Sequence, residues 1–193
     1  MIVALVLAAG RGRRFSANDN KLLEPFRGRP LLRHAVDAAL SSQVAETVVV
    51  TGFDAERVER ELAGLPLRIV RNGEYEEGMA ASLRVGLRNA QDADAVVVLL
   101  GDMPLIRAEL IDRLIALFEA GGASAVAPTY GGQCGNPVLL GRALFPLVAR
   151  LSGDAGARAL LRARDDVREF ETHDAGVILD VDAVSDLSAL NQR

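Results

Sequence analysis

The stretch Ile2-Val3-Ala4-Leu5-Val6-Leu7, followed by Ala8-Ala9-Gly10-Arg11-Gly12-Arg13-Arg14-Phe15, decides how the rest of the chain is interpreted. Six consecutive apolar residues are typical of a strand that is covered on both faces, as in a parallel sheet. The turn that follows carries two glycines, which let the backbone approach an anion closely, and three arginines, which neutralise its charge. The segment therefore predicts a phosphate-binding loop, and a basic surface turn is the alternative.

The loop matches neither of two common phosphate-binding signatures. A Walker A loop has Gly-Lys-Ser/Thr entering a helix, and a Rossmann fingerprint has three glycines directly before a helix. Residues 8–15 contain only two glycines. Six of the 22 basic residues lie in the first 29 positions, namely Arg11, Arg13, Arg14, Lys21, Arg27 and Arg29. We therefore expect this end of the chain to bind an anion locally.

Composition narrows the class of protein. The chain has 193 residues, half of them hydrophobic and 4% aromatic, and a formal net charge of −4. This length suits one domain (1–193), and an acidic protein is not expected to bind nucleic acid non-specifically. One cysteine, Cys134, excludes an internal disulfide framework, and two distant histidines, His34 and His173, make a zinc site unexpected.

The sequence predicts a protein that is neither exported nor embedded in a membrane. The apolar start lacks a cleavable small-residue site, and no apolar run approaches the roughly 20 residues that a membrane span needs. We therefore expect a soluble cytoplasmic protein.

Strand-like and helix-like stretches alternate along the chain, which predicts a sheet with helices on both faces. Apolar runs predict strands over residues 2–7, 47–51, 67–70, 95–100 and 123–127. Helical periodicity predicts helices over residues 31–41, 55–63, 80–90, 108–120 and 155–164. The expected fold is therefore α/β, a three-layer α/β/α sandwich with a mostly parallel sheet.

Three aspartates follow predicted strands or lie in an extended segment. Asp102 follows the strand over 95–100, and the alternation in residues 177–182 places Asp180 and Asp182 on one face. Ligands of open α/β sheets bind at the carboxyl ends of the strands, and neighbouring carboxylates repel unless a cation or donor lies between them. Asp102 with one of this pair therefore predicts an oxygen site for Mg²⁺, and a helix cap or Asx-turn is the alternative for Asp102.

The motifs, taken in order, resemble one known family. They are Leu7-Ala8-Ala9-Gly10 with Arg14 and Lys21, Gly78-Met79-Ala80-Ala81-Ser82-Leu83, Leu100-Gly101-Asp102-Met103-Pro104, Gly135-Asn136-Pro137-Val138, Gly153-Asp154-Ala155-Gly156-Ala157-Arg158 and Asp180-Val181-Asp182. Together they resemble the MobA-like nucleotidyltransferases, most closely the molybdenum cofactor cytidylyltransferase branch. The resemblance covers nearly the whole chain. It implies a Rossmann-like nucleotidyltransferase fold with an N-terminal nucleotide-binding half and a C-terminal acceptor-binding half.

The resemblance implies which residues bind the nucleotide and the metal. The implied nucleotide-binding residues are Leu7, Ala8, Ala9, Gly10, Gly12, Arg14, Lys21, Gly78, Ser82 and Asp102. Arg14, Lys21 and Asp102 are the implied catalytic residues, since the two cations would neutralise the triphosphate and the leaving pyrophosphate. The implied ligands of the cofactor, Mg²⁺, are Asp102 and Asp182, with Asp180 as the rival for the second place.

The later motifs are implied to bind the acceptor. The residues concerned are Gly135, Asn136, Pro137, Asp154 and Arg158. Arg158 suits a phosphate because its guanidinium binds bidentately, and an N-capped helix start is the alternative for residues 153–158. Two departures from the family pattern are Ser16, where glycine is usual, and Ala183-Val184, where Thr-Pro is usual.

The resemblance also implies an activity, which is the transfer of CMP from CTP to the terminal phosphate of molybdopterin or molybdenum cofactor, with release of pyrophosphate. Ala9 points to CTP because the guanylyl branch tends to have glycine there, and GTP and ATP stay open. A transient contact with a molybdoenzyme or its chaperone is expected. Two alternatives are a same-fold nucleotidyltransferase acting on a sugar or polyol phosphate, and a non-catalytic chaperone that carries the cofactor.

Overall fold

An eight-stranded sheet with helices packed on it forms the centre of the computed structural model, which describes residues 1–12, 20–162 and 164–191. The strands are β1 (Ile2–Ala8), β2 (Pro25–Phe26), β3 (Arg29–Pro30), β4 (Glu46–Thr51), β5 (Arg68–Arg71), β6 (Ala95–Leu100), β7 (Ala125–Tyr130), β8 (Gln133–Cys134), β9 (Val138–Gly141) and β10 (Val167–Glu171). The helices are α1 (Leu31–Leu40), α2 (Ala55–Glu61), α3 (Met79–Asn89), α4 (Ala108–Glu119), α5 (Phe145–Val148) and α6 (Val184–Asn191).

The strand order explains where a ligand can bind. The order across the sheet is β10-β7-β9-β6-β1-β4-β5, with β8 beside β7, while β2 and β3 form a separate two-stranded ribbon. The pairs that β1 makes with β4 and β6 are parallel, and β9 is antiparallel to both β6 and β7. The chain proceeds from β1 to one edge and then returns to place β6 on the other side of β1. This reversal creates a crevice at the carboxyl ends of β1 and β6, the usual ligand position in such sheets.

The core lies on both faces of the sheet, as the apolar runs predict. Along β1, Ala4 and Val6 belong to one buried cluster with α1 and α4, whereas Val3 and Leu5 belong to another with α3. All four residues are fully buried. The mostly parallel sheet and its two helical layers confirm the predicted fold class.

Two local predictions are wrong, the second of them only in part. In place of a helix over residues 155–164, the described residues contain a single 3-10 turn, Ala157–Leu160. The segment predicted to be extended over residues 177–182 is so only in part, because a 3-10 turn covers Ala175–Ile178 and extended backbone begins at Leu179. In the turn, the Asp174 side chain accepts a hydrogen bond from the Gly176 amide at 2.8 Å, which favours the turn over an extended chain.

Among the described residues, no helix is both long enough and apolar enough to cross a bilayer.

Candidate nucleotide and metal site

A cavity of about 500 Å³ opens at the carboxyl ends of β1 and β6. Most of the residues predicted from separate motifs line it together, namely Leu7, Ala9, Gly10, Gly12, Lys21, Gly78, Ser82, Asp102, Asp154, Asp180 and Asp182. Its other lining residues are Arg11, Leu22, Tyr75, Glu76, Met79 and Leu100. The predicted residues Ala8, Gly135, Asn136, Pro137 and Arg158 lie outside this lining, and the predicted residue Arg14 lies outside the described residues.

Lys21 lies at the base of the cavity with its ammonium group surrounded by oxygen atoms. Its Nζ donates to Asp102 Oδ2 at 2.7 Å, to the Val181 carbonyl at 2.8 Å and to Asp182 Oδ1 at 3.1 Å. An ammonium group has three donor protons, so these contacts use all of them. Burial lowers the pKa of Lys21, but the effects of Asp102 and Asp182 outweigh burial and raise the net pKa. Lys21 is therefore a charged lysine held by the carboxylates.

Lys21 is also the only lysine of the sequence, which otherwise uses arginine for every basic side chain. Lys21 is 7% exposed and begins a 3-10 turn, Lys21–Leu23. The start of this turn is fixed by the Asn20 side chain, which accepts a hydrogen bond from the Leu22 amide at 3.1 Å. A compact ammonium donates to three oxygens from a single nitrogen atom, whereas a guanidinium spreads its five donors in one plane over three nitrogens. The position therefore suits lysine in a chain that uses arginine elsewhere.

The carboxylate cluster consists of Asp102, Asp180 and Asp182, each offering an oxygen atom within 4.8 Å of the others. Asp102 Oδ1 is buried and has no hydrogen-bond partner among the described residues. Burial, followed by the charges of Asp102 and Asp182, raises the pKa of Asp180. Two of the three carboxylates, Asp102 and Asp182, contact the Lys21 ammonium. Hard divalent cations prefer carboxylate oxygens, so the buried Asp102 oxygen and the three closely spaced carboxylates fit a divalent cation.

The C-terminal segment is held against β6 by backbone hydrogen bonds. The Val181 amide donates to the Asp102 carbonyl at 3.0 Å, and Val181 is fully buried. Asp186, near the start of α6, accepts from the amides of Asp182 and Ala183 at 3.0 and 2.7 Å. This is the backward half of a capping box, in which a carboxylate in the first turn satisfies amides that precede the helix. Asp186 therefore positions Asp182, a role that the sequence reasoning missed although the capping-box spacing signals it.

Gly12 brings the β1 loop against the Lys21 side chain. The residue has a φ of +58°, and a Cβ there would lie 3.1 Å from Cγ and Cδ of Lys21. Gly10 differs, because a Cβ at that position would have no atom of the described residues within 4 Å. The second glycine of the predicted phosphate-binding loop is therefore explained by its contact with the lysine stem, whereas no contact within the described part of the chain explains the first.

The motifs at residues 78–83 and 153–158 form one packed unit, which we call the glycine contact and define as Gly78, Gly153 and Gly156 with Met79. Gly78 has a φ of +97°, and a Cβ there would lie 2.4 Å from the carbonyl carbon and oxygen of Gly153. A Cβ at Gly156 would lie 2.6 Å from Met79 Sδ. The Ala80 amide donates to the Gly153 carbonyl at 3.0 Å. This contact fixes the start of α3 beside Asp154.

The remaining residues predicted to bind the acceptor make contacts within the protein. A Cβ at Gly135 would lie 2.6 Å from the Val177 carbonyl oxygen, and the Asn136 amide donates to that same oxygen at 2.8 Å. Arg158 Nη1 donates to the Cys134 carbonyl at 2.9 Å. Their predicted role at the acceptor stays a prediction, because these contacts place them beside the cavity rather than in its lining.

Two further groups lie at the cavity, Arg11, which was predicted only as part of the basic N-terminal end, and Asn72, which the sequence analysis missed. Arg11 lies over the Phe53 ring, with its Cζ 5.3 Å from the ring centre, and approaches Glu76 to 3.9 Å. Buried Asn72 donates from Nδ2 to the hydroxyl of Ser82 at 3.1 Å. Asn72 directly follows β5. Its position at the carboxyl end of a strand is the same signal that predicts Asp102, and it would have identified Asn72 as well.

Comparison with known proteins identifies the family. The MobA-like NTP transferase domain matches residues 4–167, and the chain belongs to this family of nucleotidyltransferases. The chain is similar to the nicotine blue oxidoreductase of Paenarthrobacter nicotinovorans, at 33% identity over 171 residues that cover 84% of this chain and 82% of that protein. It is also 33% identical over 143 residues to the bifunctional protein GlmU of Symbiobacterium thermophilum, covering 74% of this chain but only 30% of that protein's length.

Solved structures agree with this assignment. The fold is similar to Rv0371c from Mycobacterium tuberculosis H37Rv, with a TM-score of 0.87, 30% identity, and coverage of 100% of this chain and 98% of that chain. A complex of Rv0371c with manganese gives a TM-score of 0.85 at 30% identity, covering 99% of this chain and 98% of that chain. The Rossmann-like nucleotidyltransferase fold is thereby confirmed, and a divalent ion is known in a similar protein.

Proposed function

We propose that this protein transfers CMP from CTP to the terminal phosphate of molybdopterin, releasing pyrophosphate, and that it uses Mg²⁺. The observation that carries the proposal is the cavity in which the carboxylate cluster and the sole lysine lie beside the β1 loop, in a member of a nucleotidyltransferase family. Such a reaction joins two anions, so it depends on charge neutralisation and positioning more than on covalent chemistry by the protein.

The proposed reaction is a substitution at the α-phosphorus of CTP. A terminal phosphate oxygen of the acceptor attacks the α-phosphorus, the bond from that phosphorus to the bridging oxygen breaks, and pyrophosphate leaves with the bond's electron pair. Asp102 and Asp182 would hold Mg²⁺, with Asp180 as the rival second ligand, and the buried Asp102 Oδ1 fits this role. Bound Mg²⁺ would supply charge neutralisation and orientation of the phosphate oxygens. Arg14 is proposed as a further cation for the triphosphate.

The contacts of Lys21 support a proposed exchange. Because its three protons are all given to Asp102, Val181 and Asp182, Lys21 must leave the carboxylates before it can bind a phosphate. A divalent cation at the carboxylates would remove the attraction that holds the ammonium there. We propose that Lys21 would turn toward the triphosphate when Asp102 and Asp182 hold a cation, and that its charge would then stabilise the leaving pyrophosphate.

The substrate assignment rests on single motifs. Ala9 lines the cavity and supports CTP, with GTP and ATP as the alternatives. Asp154 lines the same cavity and is proposed to face the acceptor, as are Gly135, Asn136, Pro137 and Arg158 nearby. Molybdopterin as the acceptor, a cytoplasmic location and a transient contact with a molybdoenzyme or its chaperone belong to the same proposal. A sugar or polyol phosphate is the alternative acceptor.

Two other kinds of function compete with a transferase. One is a non-catalytic chaperone that binds the cofactor, and the other is the redox activity that the name of the Paenarthrobacter relative states. The carboxylate cluster and the buried ammonium favour the transferase because they provide what a triphosphate and a divalent cation require. A protein that only carries a cofactor would bind the nucleotide without turnover.

The decisive experiment is pyrophosphate release by the purified protein with molybdenum cofactor as acceptor and Mg²⁺ present, using CTP, GTP and ATP in parallel. Release with CTP alone supports the full proposal. Release with another nucleotide corrects the base, and release with CTP and a sugar or polyol phosphate corrects the acceptor. Tight nucleotide binding without turnover for any of these acceptors points to the chaperone.

A further inference from the structure

A buried hydrogen-bond relay runs from the backbone after β5 to the wall of the cavity. Asn72 and Ser82 are 2% and 4% exposed, so both polar side chains are shielded from water. The Glu74 amide donates to Asn72 Oδ1 at 2.9 Å, and Asn72 Nδ2 donates to Ser82 Oγ at 3.1 Å. Ser82 itself lines the cavity, whereas Asn72 lies behind it. The relay therefore ends at a position that faces a ligand.

The direction of this relay is fixed by its first member. A backbone amide can only donate, so the group of Asn72 that faces Glu74 must be its oxygen. The amide nitrogen of Asn72 then faces Ser82 and donates to the hydroxyl oxygen. The hydroxyl keeps its own proton, for which the described residues provide no acceptor within hydrogen-bond distance. Ser82 therefore presents a donor, and a buried donor without an acceptor is costly.

We propose that Asn72 is a positioning residue that fixes Ser82 as a hydrogen-bond donor toward the base of the bound nucleotide. The base must then offer an acceptor there, either a carbonyl oxygen or an unprotonated ring nitrogen. A site that provides a buried donor discriminates against a ligand that lacks the matching acceptor. This inference rests on the proposed nucleotide site and adds a residue that acts on specificity without touching the ligand.

The test is a double-mutant cycle on binding of CTP, measured by calorimetry with Mg²⁺ present. Asn72→Asp keeps the shape but replaces the donor with an acceptor, so the Ser82 proton turns toward position 72 and a lone pair faces the base. We expect Asn72→Asp and Ser82→Ala each to weaken CTP binding about tenfold, the effect of one lost hydrogen bond. In the double variant, Asn72→Asp should add only its charge repulsion to the effect of Ser82→Ala, and Ser82→Thr should restore binding.

Inorganic tripolyphosphate is the matched probe because it has the phosphates of CTP but no base. Its affinity should be unchanged in Ser82→Ala and Ser82→Thr. The charge added by Asn72→Asp repels both ligands, so tripolyphosphate affinity should fall less than CTP affinity in the variants that carry it, while a merely structural role of Asn72 would weaken both ligands equally. Losses of CTP affinity relative to tripolyphosphate that add in the double variant, or no such loss in Asn72→Asp, overturn the inference. If Asn72→Asp does not fold, Asn72→Ala serves instead, with a smaller expected loss that also vanishes in the Ser82→Ala background.

The wild type separates this inference from the proposed function. Affinity for CTP, GTP or ATP no higher than that for tripolyphosphate means that no base is recognised, which overturns the nucleotide site and the relay together. Base-dependent binding by the wild type that is insensitive to Asn72 overturns the relay alone.

Discussion

The carboxylate cluster and the glycine contact face the same cavity but differ in what explains their residues. Gly78 is required by packing, since a Cβ there would overlap the Gly153 carbonyl, whereas a Cβ at Gly156 would meet only the flexible end of the Met79 side chain. The carboxylates have no such explanation, because Asp102 leaves a buried oxygen without a partner among the described residues and repels Asp180 and Asp182. Residues that packing explains are therefore evidence about the fold. A cluster of charged side chains that is unfavourable without a ligand is evidence for a ligand-binding site.

Asp102→Asn provides the strongest test of that difference. The amide keeps the size of the side chain and removes its charge, so we expect turnover to fall about a thousandfold, since a bound cation contributes several kcal/mol to catalysis. The measurement is the rate of pyrophosphate release with the acceptor present. Thermal unfolding should change little compared with this loss.

Asp92→Asn is the control for the loss of one carboxylate, because Asp92 is exposed and outside the cavity lining. Its turnover should equal that of the wild type. Full activity of Asp102→Asn would show that this carboxylate has only a structural role. The carboxylate cluster and the glycine contact would then both be explained by the fold alone.

Gly78→Ala tests the other side of the comparison, where a large loss of stability should accompany any change in activity. The substitution adds a Cβ in the left-handed region and against the Gly153 carbonyl, so we expect a loss of about 3 kcal/mol in the free energy of unfolding. Denaturation by urea measures this loss.

Gly64→Ala separates backbone strain from overlap. Gly64 has a φ of +81°, but among the described residues a Cβ there would have no atom within 4 Å. Its expected loss is about 1 kcal/mol, from strain alone. Equal losses at positions 64 and 78 would remove the packing explanation for the glycine contact.

The same contrast explains how much could be predicted from sequence. The strands over residues 2–7 and 95–100 were predicted because unbroken apolar runs are local signals. Ligands of open α/β sheets bind at the carboxyl ends of the strands, so these two strands also predict that Asp102 lies near the β1 loop. The helix over residues 155–164 was wrong, and this segment instead contacts distant parts of the chain, with Gly156 beside Met79 and Arg158 bonded to the Cys134 carbonyl, which no local period encodes. Likewise, Lys21 and Asp182 are 161 positions apart, so their ion pair was not foreseen.

The exchange proposed for Lys21 predicts an effect on its chemical reactivity. Lys21 carries the only lysine amine, so an amine-acylating reagent has just this group and the N-terminus to label. Addition of Mg²⁺ or Mn²⁺ should speed labelling of Lys21 about tenfold or more, because its charged hydrogen bonds to the carboxylates are lost. Peptide mass spectrometry reads the ratio of the two labels, with the N-terminus as the internal reference.

CTP added after the metal should slow the labelling again, since the released ammonium would then bind the triphosphate. If the metal leaves the labelling rate unchanged or lowers it, Lys21 stays bonded to the carboxylates. Its role would then be structural, like that of the residues in the glycine contact.

Asp180 should give the smallest effect, and its sign is set by its raised pKa. Because the folded protein binds a proton at Asp180 more tightly than the unfolded chain does, the wild type loses stability as pH rises from the ordinary aspartate pKa, about 4, through the raised value. Asp180→Asn removes this loss, so the metal-free variant should be slightly more stable than the wild type near neutral pH, and equally stable in acid. Unfolding by urea across this pH range measures the difference.

Adding Mg²⁺ then shows which aspartate is the second metal ligand. If Asp180 is the ligand, Mg²⁺ should stabilise the wild type more than Asp180→Asn. If Mg²⁺ stabilises these two proteins equally but does not stabilise Asp182→Asn, the second ligand is Asp182.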